Sequence, residues 1–262
     1  MKSVSIVVPA YNEAARLPSS LVPICEYLER RGARRWEVIV VDDGSRDRTV
    51  EVAEQGLVAL GGRGRVLRHP SNRGKGAAVR TGMLAARGDL VLFTDADLST
   101  PIEEIEKLER ALAAGAEIAI GSRAVDRRMV ERRQPWARDM MGRLFNLVVR
   151  LYAVRGIKDT QCGFKLFTRE AARTIFERTR IDGFGFDVEV LALAQWLGVP
   201  IAEVPVRWIN NTDTRVRLAQ GAKAFLDPLR VRLGILRGVY DRSGVERSAV
   251  AASRPARKAS KV

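Results

Sequence analysis

Short apolar runs alternate with longer amphipathic stretches through the first half of the chain. Runs rich in β-branched residues, each ending in polar or turn residues, predict strands at 4–12, 37–45, 90–97 and 117–123. The segments between them predict helices at about 14–31, 46–60, 74–87 and 101–114. We expect Thr100 to cap the last of these, with Pro101 in its first position and Glu103 completing a capping box. This alternation predicts an α/β fold, with a mostly parallel sheet and helices on both faces.

The pattern changes after residue 123. Residues 136–152 have apolar residues at helical spacing with arginines between them. A second helix is expected with Asp227 as N-cap and Pro228 in its first position. Its apolar face would hold Phe225, Leu229, Leu233, Leu236 and Tyr240. Apolar faces flanked by arginines are typical of helices that lie on a membrane surface, but ordinary core-facing helices also have an apolar face, and both interpretations stay open.

Length and composition indicate one domain with a tail. The chain has 262 residues and is 46% hydrophobic, enough for a sizeable core. We expect a single domain over 1–240, with halves at 1–122 and 123–240, and a disordered basic tail at 241–262. Cys25 and Cys162 are the only cysteines, which excludes a disulfide framework and favours a reducing compartment. No apolar run suits a signal peptide or a membrane span, so we expect a soluble or peripheral protein.

The positive charge is concentrated in the C-terminal half. The net charge is +14, and residues 123–155 alone hold nine arginines against three acids. Residues 213–238 hold six basic residues against two acids, and residues 242–262 hold six against one. This concentration predicts an anionic partner such as a phosphate or a lipid surface. Nucleic acid is disfavoured, because only 6% of residues are aromatic and no basic–aromatic platform occurs.

Two acids close the apolar run "LVLFTDADLST". Asp95 and Asp97 are two positions apart, so in an extended strand their side chains face the same point. Paired carboxylates are costly there unless a cation lies between them. Mg²⁺ or Mn²⁺, held by one or two carboxylates and by substrate phosphates, fits this arrangement. The alternative is that the acids cap the helix that begins near residue 101.

Other polar residues fall at the same predicted edge of the sheet. Asp42 and Asp43 end a strand, where they could accept hydrogen bonds from a nucleoside or form a turn. Glycines flank Lys75 before a helix, which is a weak indication of a phosphate-binding loop. His69, the only histidine, excludes histidine-based triads elsewhere, and we expect it in a surface loop.

Five motifs together resemble a known family. "SIVVPAYNEAARL", "VIVVDDGSRDRT", "NRGKGAAVRTGM", "FTDADLSTP" and "GSR" are similar in order and spacing to the inverting, nucleotide-sugar-dependent glycosyltransferases of family 2, which have the GT-A fold. "IKDTQCGFKLFTREAA" and "GFGFDVEVL" most resemble the dolichyl-phosphate β-glucosyltransferase branch. The dolichyl- and polyprenyl-phosphate mannosyltransferases are close relatives.

The resemblance implies roles for particular residues. Nucleotide-sugar contacts are implied at Pro9, Tyr11, Asn12, Glu13, Asp42, Lys75, Ala96 and Arg215, and at the acid pair. Asp95 and Asp97 would bind the metal and the diphosphate, whereas Ser99 stands where mannosyltransferase relatives often have a glutamine ligand. Arg123 and Arg138 match arginines that bind a lipid phosphate. Asp187 and Glu189 are candidates for sugar or acceptor binding, or for a structural role.

The implied reaction moves glucose from UDP-glucose to a dolichyl or polyprenyl phosphate at the cytoplasmic face of a membrane. A phosphate monoester is mostly dianionic near pH 7 and needs no general base. A sugar-alcohol acceptor would instead make Asp187 the leading base candidate. GDP-mannose as donor, a non-lipid acceptor, and a sugar-binding scaffold without catalysis are the alternatives.

Overall fold

A seven-stranded mixed sheet forms the centre of the computed structural model. It describes residues 2–31, 35–58, 60, 62–129, 136–209 and 226–241, and only the backbone of 127, 136–139 and 141–144. The strands are β1 (Val4–Ala10), β2 (Trp36–Asp42), β3 (Gly64–Arg68), β4 (Leu90–Thr94), β5 (Ile118–Ser122), β6 (Phe164–Thr168) and β7 (Ile201–Pro205). Their order is β3-β2-β1-β4-β6-β5-β7. All neighbouring strands are parallel except β6, which runs antiparallel to both β4 and β5.

Eight α-helices are described around the sheet. They are α1 (Leu17–Arg30), α2 (Thr49–Val58), α3 (Lys75–Ala85), α4 (Ile105–Ala113), α5 (Trp136–Tyr152), α6 (Arg169–Phe176), α7 (Phe186–Leu197) and α8 (Asp227–Leu236). Short 3₁₀ segments cover Ile102–Glu104 and Arg127–Met129. Within the described ranges, no helix combines the length and the hydropathy that crossing a bilayer requires.

Alternate residues of the central strands pack into two separate hydrophobic cores. Val7, Ile39 and Phe93 point to the face covered by α3, α6 and α7, which also receives buried residues of α5 and α8. Ile6 and Val38, one position earlier in their strands, point to the face covered by α1, α2 and α4. Because both faces are covered, the central strands are apolar throughout, as parallel strands usually are. The predicted α/β class is confirmed.

Two predictions about helix starts are wrong. The helical segment after Thr100 begins with the 3₁₀ turn, preceded by Pro101, and has no side-chain capping bond. The reason is that Pro101 has an extended ψ of 142° and is itself the N-cap, so Thr100 lies one residue outside the helical segment. Glu104 of this segment pairs with Lys107 and Arg207. In α8 the N-cap is Leu226, and the predicted cap Asp227 is the first helical residue.

Candidate active site

The loops after β1 and β2 are tied together at the carboxyl edge of the sheet. Asn12, with a left-handed φ of 55°, donates its backbone N–H to Ser45 Oγ at 2.8 Å. Its side-chain Oδ1 accepts from the N–H of Arg46 at 2.9 Å. The backbone N–H of Glu13 donates to Thr49 Oγ1 at 2.8 Å. Asn12 therefore shapes this edge.

The other predicted nucleotide-sugar residues of this loop differ in exposure. Pro9 is buried inside β1, opposite Val41 of β2. Tyr11 lies just beyond the strand and is 40% exposed. The carboxylate of Glu13 pairs with Arg16 at 2.6 Å. Tyr11 is thus the member of this group whose side chain is most open to a ligand.

Asp42 shapes the turn that follows β2. Its side chain is fully buried, and its two carboxylate oxygens accept from the N–H of Ser45 at 3.3 and 3.2 Å. The turn interpretation accounts for these contacts, and a nucleoside contact by Asp42 stays a prediction.

Asp43 organises the loop that leads to α3. It accepts hydrogen bonds from the backbone N–H groups of Arg73 and Gly74, at 3.0 and 2.8 Å. Its Oδ1 also lies 2.7 Å from His69 Nδ1, while His69 Nε2 lies 2.9 Å from Thr81 Oγ1. His69 is only 5% exposed, so the expected surface position is wrong, because these partners hold the ring between the loop and α3.

The glycines beside Lys75 are required by close backbone packing. A Cβ at Gly74, where φ is 110°, would lie 2.3 Å from the carbonyl oxygen of Asp182. A Cβ at Gly76 would lie 2.4 Å from the carbonyl oxygen of Ile181. The weak likeness to a phosphate-binding loop is explained by this contact. The same close packing places Lys75 at the first position of α3.

Asp95 and Asp97 follow β4, and neither caps a helix. Asp97 Oδ1 accepts from the N–H of Ser99 at 3.1 Å. The 3₁₀ segment and α4 begin without any side-chain capping bond, so the capping alternative is wrong. Ala96, between the acids, is buried, and its carbonyl accepts from Ser20 Oγ at 2.6 Å. The backbone between the two acids is thereby fixed.

Lys75 supplies a positive charge at the first acid. Its Nζ lies 2.7 Å from Asp95 Oδ1. Burial acts to lower the pKa of Lys75, but nearby carboxylates, Asp95 first and then Asp187, outweigh it. The net pKa is raised, so the ammonium stays charged. On its other side, the Asp95 carboxylate lies so close to Gly163 that a Cβ there would be 2.0 Å from Oδ2.

A second ion pair, between Lys165 and Asp187, lies near the first and is buried. Lys165 Nζ donates to Asp187 Oδ1 at 2.5 Å and to the carbonyl of Cys162 at 2.6 Å. Lys165 and Asp187 are 1% and 4% exposed. Desolvation raises the pKa of Asp187 against the attraction of Lys165 and Lys75. These contacts favour the structural alternative for Asp187 over a sugar contact.

The contacts of Glu189 favour the structural alternative over a sugar or acceptor contact. Its side chain is fully buried. It accepts from the backbone N–H groups of Arg180 and Ile181 at 2.8 and 2.9 Å, and from the Tyr240 hydroxyl at 2.7 Å. Desolvation raises the pKa of Glu189. The carboxylate thus holds the loop that packs against the glycines beside Lys75.

Arg123 is held by a bidentate ion pair at the end of β5. Its Nε and Nη2 donate to the two carboxylate oxygens of Asp159 at 2.6 and 2.7 Å, and its backbone N–H donates at 3.0 Å. The guanidinium also lies 5.4 Å from the ring centroid of Trp208. Burial acts to lower the pKa of Arg123, but Asp159 outweighs burial, and Asp95 adds to the net increase.

Residues 5–176 match the family described as Glycosyl transferase family 2, and this range is more than half of the chain. The chain belongs to glycosyltransferase family 2. The resemblance of its five motifs is thereby confirmed.

Curated relatives of this glycosyltransferase are named dolichyl-phosphate beta-glucosyltransferase. The Drosophila melanogaster protein is 47% identical over 253 residues, covering 89% of this chain and 76% of the relative. The Homo sapiens protein is 42% identical over 252 residues, covering 91% of this chain and 78% of the relative. The Saccharomyces cerevisiae protein is 35% identical, with 90% and 76% covered.

Solved structures confirm the predicted GT-A fold. Mannosyl-3-phosphoglycerate synthase from Rubrobacter xylanophilus superposes with a TM-score of 0.68 at 20% identity, covering 91% of this chain and 75% of that one. Glucosyl-3-phosphoglycerate synthase from Mycobacterium tuberculosis, in complex with UDP, superposes with a TM-score of 0.65 at 22% identity, covering 88% and 80%.

Sequence reasoning used residues 159–165 only as part of the family resemblance. In the structure this segment connects the site: Asp159 holds Arg123, Gly163 lies against Asp95, and Lys165 pairs with Asp187. One signal could have found it, because a lysine inside the strand-like run "CGFKLF" requires a buried acid as partner.

Two predicted site residues cannot be placed relative to this geometry. Arg138 belongs to α5, but its side chain is outside the described set. Arg215 lies outside the described residues. Their roles stay predictions.

The acid pair fits a divalent ion that binds together with a phosphorylated ligand. Within the described part of the chain, no three His, Cys, Asp or Glu side chains are grouped to hold a metal by themselves. Asp95 and Asp97 supply carboxylate oxygens, which Mg²⁺ and Mn²⁺ prefer, and substrate phosphates commonly complete such sites.

Proposed function

We propose that this glycosyltransferase transfers glucose from UDP-glucose to a dolichyl or other polyprenyl phosphate, with inversion at the anomeric carbon. The position of Arg123 carries the proposal. It lies at the end of β5, on the same sheet edge as the acid pair and within electrostatic reach of Asp95. A planar guanidinium is suited to bidentate binding of a phosphate. The names of the curated relatives support glucose as the transferred sugar and dolichyl phosphate as the acceptor.

The donor would bind at the ends of β1, β2 and β4. Asp95 and Asp97 would hold Mg²⁺ or Mn²⁺, which when bound neutralises the charge of the departing diphosphate. Tyr11 offers an exposed ring at this edge, and Lys75 a second cation. A structural neighbour solved with Mn²⁺, UDP and glucosyl-3-phosphoglycerate supports this assignment. The remaining predicted contacts, from Pro9, Asn12, Glu13, Asp42, Ala96 and Arg215, belong to the same proposal.

The acceptor would be an anionic oxygen that needs positioning more than activation. A phosphate monoester has a second pKa of about 6 and is mostly dianionic at neutral pH. Its oxygen attacks the anomeric carbon while the bond to the diphosphate oxygen breaks on the opposite face. Asp187, the base candidate for an alcohol acceptor, is already engaged by Lys165 in the protein interior. This engagement favours the phosphate acceptor. Arg138 is proposed as a further phosphate contact.

The enzyme would work at a membrane surface. Of the fourteen exposed large hydrophobic side chains in the described residues, nine lie on α5 or between 226 and 239. Exposed arginines lie among them, at positions 150, 155, 230, 232 and 237. Clustered apolar side chains with basic neighbours are typical of helices at a lipid interface. Two free cysteines support placement on the cytoplasmic, reducing side.

One structural finding refines the surface predicted for α8. Leu229, Leu233 and Leu236 are exposed, as an interfacial face requires, but Tyr240 is buried and bonded to Glu189. Tyr240 therefore fastens the end of this segment to the core, and the predicted apolar face was too wide. Phe225 lies outside the described residues.

A donor and acceptor panel tests the function. Purified protein with Mg²⁺ or Mn²⁺ would be given UDP-glucose, GDP-mannose or UDP-N-acetylglucosamine, each with dolichyl phosphate, undecaprenyl phosphate or unphosphorylated dolichol. We expect a lipid-phosphate-linked glucose from UDP-glucose with both phosphates, none with dolichol, and none with EDTA. Transfer from GDP-mannose alone would move the chain to the mannosyltransferase alternative. The absence of any lipid-linked sugar would refute the proposal.

A further inference from the structure

The carboxylate expected to bind the metal already has a cation beside it. Lys75 Nζ lies 2.7 Å from Asp95 Oδ1, and this oxygen is buried. An ammonium and a divalent ion at the same carboxylate would repel each other, and this repulsion is strong in a buried site.

Aromatic rings and a second acid also stabilise the Lys75 ammonium at its observed position. The Nζ atom lies 5.5 Å from the ring centroid of Phe93, 6.0 Å from that of Phe184 and 5.9 Å from that of Phe186. These distances allow cation–π attraction from all three rings. Asp187 adds a buried negative charge nearby, since it contributes to the electrostatics of Lys75.

The backbone leaves the Asp95 carboxylate little freedom to avoid Lys75. One oxygen lies against Gly163, and the backbone N–H of Asp95 donates to the Gly163 carbonyl at 3.0 Å. The ammonium is therefore the part of the pair that can move. Lys75 has a flexible side chain that starts at the first residue of α3, at the edge where the donor diphosphate is expected.

We propose that Lys75 is the resident counter-ion of Asp95 in the donor-free enzyme, and that it moves to the donor diphosphate when the divalent ion binds. Lys75 thereby disfavours metal binding to the empty protein and favours binding of metal and nucleotide sugar together. This inference rests on the proposed function, because that function assigns Asp95 to the metal.

Mn²⁺ binding to the nucleotide-free protein tests the inference without any turnover. The loss of the free-ion signal in electron paramagnetic resonance would be measured for wild type, Lys75→Met and Lys107→Met. Methionine approximates the unbranched apolar part of the lysine side chain and removes the charge. Lys107 is a matched control, because it also pairs with an acid, Glu104 at 2.6 Å, outside the site. We expect Lys75→Met to bind Mn²⁺ at least ~10-fold more tightly than wild type, and Lys107→Met to be unchanged.

Adding UDP should reverse the order. With Mn²⁺ present, we expect Lys75→Met to bind UDP at least ~10-fold more weakly than wild type, because the diphosphate loses a cation. Lys75→Arg, which retains the charge, should resemble wild type in both measurements and guards against a folding defect in the methionine variant.

The outcomes separate this inference from the proposed function. If Lys75→Met binds Mn²⁺ no more tightly than wild type, while wild type still transfers glucose, the inference about Lys75 is wrong and the function stands. If neither protein binds Mn²⁺ even with UDP, the metal-dependent function fails as well. Asp97→Asn, expected to abolish Mn²⁺ binding in either background, confirms that the signal reports this site.

Discussion

Arg123 takes its orientation from a single carboxylate. Asp159 receives three hydrogen bonds from Arg123, and its own backbone N–H donates to Glu203 Oε1 of β7 at 2.8 Å. The contacts from β7 through Asp159 therefore fix the guanidinium at the carboxyl edge of the sheet, within electrostatic reach of Asp95. The resemblance pointed to Arg123 through the motif "GSR", but Asp159 lies 36 positions later. A pair so far apart in the chain has no local pattern from which it could be predicted.

Asp159→Asn should weaken acceptor binding selectively. Asparagine keeps the shape but removes the charge that orients the guanidinium. We expect the KM for polyprenyl phosphate to rise at least ~10-fold while the affinity for UDP and Mn²⁺ stays unchanged. Breaking this buried pair should also lower the free energy of unfolding by about 3 kcal/mol.

Steady-state kinetics at varied acceptor, together with UDP titration, separate this positioning role from general damage. Asp126→Asn is the control, because Asp126 pairs with Arg128 at 3.0 Å on the surface close to Arg123. An equal loss of donor and acceptor affinity in Asp159→Asn would contradict the positioning role.

Gly163 is fixed by the space that Asp95 needs. A Cβ at this position would lie 2.0 Å from Asp95 Oδ2 and 2.6 Å from Oδ1. Gly163→Ala must therefore displace the carboxylate, and we expect kcat/KM to fall about 100-fold, as for other small displacements of reacting groups. Gly183→Ala is the control, because no atom lies within 4 Å of its Cβ position. Wild-type activity in Gly163→Ala would show that Asp95 is not needed at its observed position.

At the scale of elements, β6 joins the two halves of the site. It lies between β4 and β5 and is antiparallel to both, so its first residues reach the carboxyl edge where the acid pair lies. Lys165 on β6 and Asp187 on α7 form the buried pair that links these elements. A buried pair is costly to break from one side only, because the remaining charge has no partner.

A double-mutant cycle tests the link between β6 and α7. Lys165→Met and Asp187→Leu should each lower the free energy of unfolding by about 3–5 kcal/mol. The double variant should be less destabilised than the sum by more than about 1 kcal/mol, since neither charge is left alone. Urea unfolding followed by circular dichroism measures all four proteins. Strict additivity would contradict a direct pair.

The parallel half of the fold was predictable, and most of the C-terminal half was not. The four predicted strands and the helices between them are present, because each strand is a β-branched run that ends in polar residues. In contrast, α7 is almost wholly buried, including its acids Asp187 and Glu189, so it has no amphipathic period. The strands β3, β6 and β7 have five residues each and contain charged residues, so their sequences could not be distinguished from those of loops.

The residues of the candidate site were likewise only partly predictable from the sequence. Asp95 and Asp97 were predictable, because two acids directly after an apolar strand are a local pattern. The partners Asp159, Gly163 and Lys165 were not, because their contacts arise only when β6 enters the sheet between β4 and β5. For the same reason the sequence left the role of Glu189 open, since its partner Tyr240 lies 51 positions away.

At the scale of the whole molecule, the exposed apolar residues follow the division of the fold into two faces. The exposed apolar residues of α5 and α8 belong to helices on one face of the sheet, where their buried residues join a single core. The opposite face, covered by α1, α2 and α4, has its own core. With a net charge of +14, the protein should be drawn to anionic lipid over a range of about 10 Å at 0.1 M salt.

Leu236→Glu should weaken membrane binding without damaging the fold. Leu236 is 69% exposed on α8, so its replacement removes no core contact. Inserting a leucine side chain into lipid contributes about 1.5–3 kcal/mol, and its loss should lower the vesicle partition coefficient at least ~10-fold. The measurement is flotation with phosphatidylcholine vesicles, with and without phosphatidylserine, at low and high salt.

Val58→Glu is the matched control for this last prediction. Val58 is 76% exposed but lies on α2, on the opposite face, so its substitution should leave vesicle binding unchanged. Both variants should transfer glucose to a short, water-soluble isoprenyl phosphate at the wild-type rate, because neither residue is part of the candidate site. If Leu236→Glu and Val58→Glu float equally well with phosphatidylserine vesicles, α8 is not the membrane-facing element, and the basic segments alone would have to account for any binding.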